Sequence, residues 1–165
     1  MTTASSLASL RAQIAVVVCL FSTLTSAQVA RLDDSSSPRS MVGSDFRQAQ
    51  MVDAQTLSLP FGRVEYRLAT AAYQGKRARI YYVIPAAIAG LRSPSGLQVI
   101  WRGGSTFQGG SGRPGERVPV WNGIVSGAWM TESFDLQLRI DPRQLQLAQG
   151  GSLSFESYFE IEIQP

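Results

Sequence analysis

Between residues 133 and 141 the chain reads SFDLQLRID, so that Phe134, Leu136, Leu138 and Ile140 alternate with Asp135, Gln137, Arg139 and Asp141. Strict alternation puts every second side chain on one side of an extended strand, whereas a helix needs a repeat near 3.6. The same rhythm recurs along the chain. Val64, Tyr66 and Leu68 alternate with Arg63, Glu65 and Arg67, and Ala78, Ile80, Tyr82 and Ile84 alternate with Arg77, Arg79, Tyr81 and Val83. Leu97, Val99 and Trp101 make a further set. Near the C-terminus Leu153, Phe155, Phe159, Ile161 and Ile163 share a face that only Ser157 interrupts, opposite Ser154, Glu156, Tyr158, Glu160 and Glu162. Pro85 and Asp141-Pro142 close two of the runs, because proline donates no ladder hydrogen bond and biases its predecessor toward extended or turn conformations.

About seven or eight strands joined by short turn-rich connections predict an all-β fold, an antiparallel β-sandwich, with a small β-barrel as the runner-up. Asn122-Gly123, lying between the apolar runs 118–121 and 124–129, predicts a hairpin with a type I′ turn. Pro85 to Leu91 has proline at its start and glycine near its end, which fits one short helical turn.

Residues 1–27 carry one charge, Arg11, then an apolar run at 14–24 and the small residues Thr25-Ser26-Ala27. This order predicts a signal peptide cleaved after Ala27. Eleven residues at about 1.5 Å each reach only about half of a 30 Å hydrocarbon core, so no stable membrane anchor is expected. Val18 before Cys19 lacks the small residue that a lipid-modification signal requires. Cleavage removes the only cysteine and leaves about 138 residues, enough for one core held by packing alone in an oxidising compartment. Fourteen arginines against one lysine suggest a GC-rich bacterial genome, hence a periplasmic or extracellular destination. Residues 28–45, rich in Ser and Asp without a period, read as a flexible leader to a single domain spanning 46–165.

The chain has no histidine, which removes Ser-His-Asp and Cys-His nucleophile schemes and His-ligated metal sites. No catalytic residue, metal ligand or cofactor is assigned. Gly104 to Ser111 has the glycine spacing of a P-loop but Gly110 in place of its lysine, and the G-x-G-x-x-G at 110–115 leads into Glu116-Arg117-Val118-Pro119 rather than a helix. The Gly-rich stretch 103–115 therefore reads as a mobile loop, and Phe107 and Arg113 are its candidate ligand contacts. Trp121 and Trp129 are further candidates, each opposite the buried series of its strand if Val118, Val120, Ile124 and Ala128 point inward. Glu160 and Glu162 lie about 6.6–7 Å apart on one strand face. That spacing overlaps the one glycosidases use, but spacing on one strand is cheap, and a solvated polar face explains Glu156, Glu160 and Glu162 without chemistry. Lys76 lacks the S-x-x-K spacing of a Ser-Lys pair, since Tyr73 stands where the serine belongs.

Charge divides along the chain, with +7 over residues 61–118 and −4 over 119–165. A basic surface built from the first stretch would steer an anionic glycan or an acidic protein. Nucleic acid is not expected for an exported protein of modest net charge. These features predict an exported non-catalytic binding or structural module, a component of a bacterial surface assembly. It would meet a protein partner or a second copy through a sheet edge. The alternatives are a periplasmic or secreted glycan hydrolase using carboxylates and a periplasmic chaperone or inhibitor. In layout, leader followed by a long terminal strand, the chain resembles subunits of chaperone-assembled fimbriae. That resemblance implies exchange of an N-terminal extension between neighbours. It rests on no residue motif, and the cysteine pair common in such subunits is missing.

Overall fold

The computed structural model describes residues 28–38, 46–147, 153 and 156–165. The predicted signal segment 1–27 and the 39–45 part of the predicted leader lie outside the described residues. Nine strands are formed among the described residues: β1 (Val29–Arg31), β2 (Gln50–Asp53), β3 (Thr56–Ala69), β4 (Arg77–Val83), β5 (Leu97–Arg102), β6 (Gly110–Gly112), β7 (Arg117–Ile124), β8 (Trp129–Ile140) and β9 (Tyr158–Ile163). They build two antiparallel sheets, of four strands in the order β1-β9-β4-β7 and of five in the order β2-β3-β8-β5-β6. The architecture is an all-β sandwich, not a closed barrel.

The alternation read from the sequence sets the layers. β8 is the centre of its sheet, paired with β3 on one side and β5 on the other, so Leu136, Leu138 and Ile140 face inward beside Leu59, Val99 and Leu97. β4 and β9 supply Ala78, Ile80, Tyr82, Phe159 and Ile161 from the facing sheet. Between the sheets Tyr66, Tyr82, Trp101, Phe107, Phe134 and Phe159 form one aromatic cluster with contacting ring centroids 4.9–6.2 Å apart. Tilted and edge-on contacts of this kind add to the burial of large apolar area. The polar interruption at Ser157 now has a partner. Its hydroxyl lies 2.6 Å from the Tyr82 hydroxyl and 3.3 Å from that of Tyr66, and the two tyrosines are 3.2 Å apart. Burial raises both phenol pKa values, so the three hydroxyls stay neutral and satisfy one another inside the core.

Three local expectations give way to the structure. Asn122-Gly123 is not a turn. It lies inside β7, with Asn122 opposite Arg79 and Gly123 opposite Ala78. Gly123 lets the indole lie close over the backbone, since a Cβ there would sit 3.0 Å from Trp121 Cζ2 and the ring would have to give way. Residues 86–91 form no helical turn, and Leu91 instead makes a bridge to Leu145. The terminal strand begins at Tyr158, while Leu153 is buried ahead of it.

Residues 28–33, read from sequence as part of a flexible leader, are built into the sandwich. Val29–Arg31 pair with β9, and Leu32 is 1% exposed, inserted in the core with its N–H donating to the Phe159 carbonyl at 2.9 Å. The segment then crosses to the other sheet. Ala69 of β3 donates its N–H to the Asp33 carbonyl, and Arg67 donates its own to Ser37 Oγ, both at 2.9 Å. It acts as a strap across one open side, covering backbone groups that an edge strand would otherwise present to water or to another chain.

Candidate functional site

Three places gather chemically capable side chains. The first is the Gly-rich stretch, which holds a carboxylate of its own chain. Where β5 ends, residues 103–109 fold in beside β8, and Gly104, Thr106 and Phe107 donate backbone N–H groups to the Glu132 carboxylate at 3.1, 2.8 and 2.7 Å. Ser133 adds a fourth N–H at 2.8 Å. Converging N–H groups of this kind make an anion-binding concavity, and here Glu132, 4% exposed, fills it. A Cβ on Gly104 would run into Glu132 Oε1, so glycine permits the approach. Burial pushes the Glu132 carboxyl up, but the N–H groups of Phe107, Ser133, Thr106 and Gly104 outweigh it and hold the pKa below the ordinary carboxylate value.

This arrangement corrects two expectations. The stretch is not an open recognition loop, because its donors are engaged within the chain. Phe107 is not a ligand contact. It is 4% exposed and packs on Phe134 and Phe159. Gln108 further ties the stretch to the opposite sheet, donating its N–H to the Val120 carbonyl at 2.8 Å.

The second place is the outer face of the four-stranded sheet. Glu160 and Glu162 do share it, as the alternation required, and Arg117 bridges them, with Nε 2.7 Å from Glu160 Oε2 and Nη2 3.2 Å from Glu162 Oε2. The Tyr81 hydroxyl donates to Glu162 Oε2 at 3.0 Å, and the Arg117 guanidinium stacks 3.4 Å from the Tyr81 ring centroid. The Tyr81 hydroxyl and then Arg117 hold the Glu162 carboxyl below its ordinary range. A glycosidase acid needs the opposite shift, because it must carry a proton at working pH.

The third place is the outer face of the five-stranded sheet. Arg67 stands opposite Thr131, Arg63 and Arg102 stand on either side of Asp135, and Arg139 lies between Ser58 and Gln98. Among the described residues none of these four arginines has a carboxylate within 4.0 Å. Glu65 and Asp135 are interspersed with them, and Asp53 lies near enough to Arg139 to feel its charge, so the four arginines exceed these acids by one. At one end Trp129, 44% exposed, has the Arg67 guanidinium 4.6 Å from a ring centroid. At the other a depression of about 200 Å³ is lined by Asp53, Thr56, Ser95, Gln98, Arg113 and Arg139, among others.

The sequence-derived candidates are therefore dispersed. Arg113 borders that depression, its Nη1 3.4 Å from the Ser95 carbonyl, and Trp129 is outward as expected, near the far end of β8. Trp121 is half-buried against the core, because a bulge opposite Ile80 and Tyr81 inserts Val120 and turns the indole inward. Arg63, Arg102 and Arg139 were not singled out from sequence. Their outward phase was readable, but not that β3, β8 and β5 are neighbours.

Among the described residues no group of three or more His, Cys, Asp or Glu is placed to hold a metal ion. No helix there is long and apolar enough to cross a membrane. No protein-family profile, curated protein or solved structure matches this chain.

Proposed function

We propose that this chain is an exported, non-catalytic binding module, exported on the strength of the signal-like segment 1–27. The observation that carries the second half is the Arg117 bridge: Glu160 and Glu162, whose spacing resembles that of a hydrolase pair, are tied by one shared guanidinium, and Glu162 is held ionised. Glu132 is likewise committed to four backbone donors. On the outer face of the five-stranded sheet arginines outnumber the acids set among them, which suits capture more than bond cleavage. Reducing-end release from acidic and neutral polysaccharides tests this. Wild type and the E160Q/E162Q double variant are expected to give the same baseline and to remain folded. Time-dependent release by wild type that the double variant loses would establish the hydrolase alternative.

A role in a surface assembly has one observation in its favour. β2 is an edge strand whose four residues are all exposed, with Met51 and Val52 at 57% each. An apolar edge of this kind invites strand addition. Sedimentation velocity is expected to show concentration-dependent association that Val52→Lys abolishes, and a wild-type monomer at every concentration would remove this reading.

A further inference from the structure

We infer that the outer face of the five-stranded sheet docks an extended acidic polysaccharide lying along β8, with sparse negative charges and many hydroxyls. The inference deepens the binding-module reading and rests on it. Its cations come at three levels of one strand: Arg67 opposite Thr131, Arg63 and Arg102 opposite Asp135, and Arg139 itself. Levels four residues apart in a strand are about 13 Å apart. Guanidinium groups at those intervals, on long side chains that can lean along the strand, can each reach a carboxylate or sulfate of a polymer that carries charge on some rings and not on those between.

The residues between the arginines favour the same occupant. Glu65, Ser133, Asp135 and Gln137 share the face, with the Gln137 amide donating to Ser58 Oγ. Acidic side chains accept hydrogen bonds from sugar hydroxyls but repel a dense row of phosphates. A nucleic acid strand presents a charge about every 3.4 Å of axis, far closer than the arginine levels here, and would bring phosphates against Glu65 and Asp135. The face is a pleated surface rather than a pocket. The depression at one end, about 200 Å³, falls below the roughly 300–1,000 Å³ of sites that engulf a small molecule. Contact is therefore spread along the strand. Trp129 adds an aromatic surface at one end, whose negative π-system attracts the partly positive C–H groups of a pyranose. At the other end Arg113, Arg139, Gln98 and Thr56 share a depression with Asp53 and Asp141, a mixed lining that meets ring hydroxyls as well as a charge.

The probe is hyaluronan of defined length, in which a uronate alternates with a neutral sugar, measured by titration calorimetry at 150 mM salt with the intact mature chain. Dextran is the neutral control, and a single-stranded DNA oligonucleotide is the dense polyanion. Hyaluronan is expected to bind, weakening as salt rises, with dextran at least ten-fold weaker. R63Q/R102Q/R139Q is expected to lose at least 100-fold in affinity with its unfolding midpoint unchanged, whereas R77Q, on the other sheet, keeps wild-type affinity. The proposal is overturned if hyaluronan does not bind, if the triple variant binds like wild type, if R77Q weakens binding as much, or if DNA binds more tightly than hyaluronan. Shortening of the hyaluronan chains during the titration would instead overturn the non-catalytic reading, and the variants would still report on the face.

Discussion

Replacing Glu132 with alanine is expected to destabilise the sandwich by about 3 kcal/mol or more, since a hydrogen bond to a charged group contributes roughly 1.5–3 kcal/mol and several are lost together. The loss falls on the backbone N–H groups of Gly104, Thr106 and Phe107, which all end on this carboxylate. Once it is gone the loop must either open to water, drawing Phe107 out of the aromatic cluster, or keep its donors dry and unpaired. Glu132→Gln recovers little, because its amide nitrogen confronts N–H groups with another donor. The sign of the pH effect follows from the depressed pKa. The contribution is complete above the unfolded carboxyl value of about 4.3 and disappears as pH falls through the lower folded value. Urea midpoints of wild type and Glu132→Gln should therefore differ most near pH 6 and converge in acid. Exchange of the Gly104, Thr106 and Phe107 amides should accelerate in the variant at pH 6. Equal midpoints at that pH would show that water replaces the carboxylate without loss.

Removal of residues 28–37 is expected to leave the remaining chain largely unfolded or aggregated at 25 °C. Leu32 alone, when truncated to alanine, should cost about 2–5 kcal/mol, as buried leucines do. Deletion also strips β1 from β9 and uncovers the β3 backbone at Arg67 and Ala69. A total stability of about 5–15 kcal/mol leaves little after such a loss. Thermal unfolding followed by circular dichroism, alongside light scattering, reports both outcomes. A truncated monomer that melts within a few degrees of the full chain would mean that the strap only rests on the surface.

These two sites show where sequence pattern carried the structure and where it did not. The core strands β3, β4, β5 and β8 were legible because their period of two follows from backbone geometry and one buried face. Glu132 was legible in the same terms, although it was not singled out. It falls on the inward phase of β8, in step with Phe134, Leu136, Leu138 and Ile140, where an acid requires a dedicated partner. β6 carries no such signal, because Gly110-Ser111-Gly112 has no apolar side chain to alternate and pairs with β5 by its backbone and one Gln98–Ser111 side-chain hydrogen bond. Val29–Arg31 is too short for a period to emerge, and Leu32, its one decisive apolar residue, was hidden among Ser and Asp. Asn122-Gly123 misled because glycine serves two purposes, and here the demand came from the Trp121 ring rather than from a turn. The arginines of the candidate face were each readable as outward, but Arg63, Asp135 and Arg102 become one row only when three segments distant in sequence lie side by side.

The position of β9 also bears on when the molecule can fold. It is the last strand along the described chain, yet it sits inside its sheet between β1, from the opposite end, and β4. Until Tyr158–Ile163 leaves the ribosome, Leu32 has no seat, β1 has nothing to pair with, and β4 keeps one edge bare. Contacts that join the two ends of a polypeptide carry a large loop-closure cost and form late. The sandwich therefore stays open until β9 has been made, with β1 and one edge of β4 waiting for the same strand.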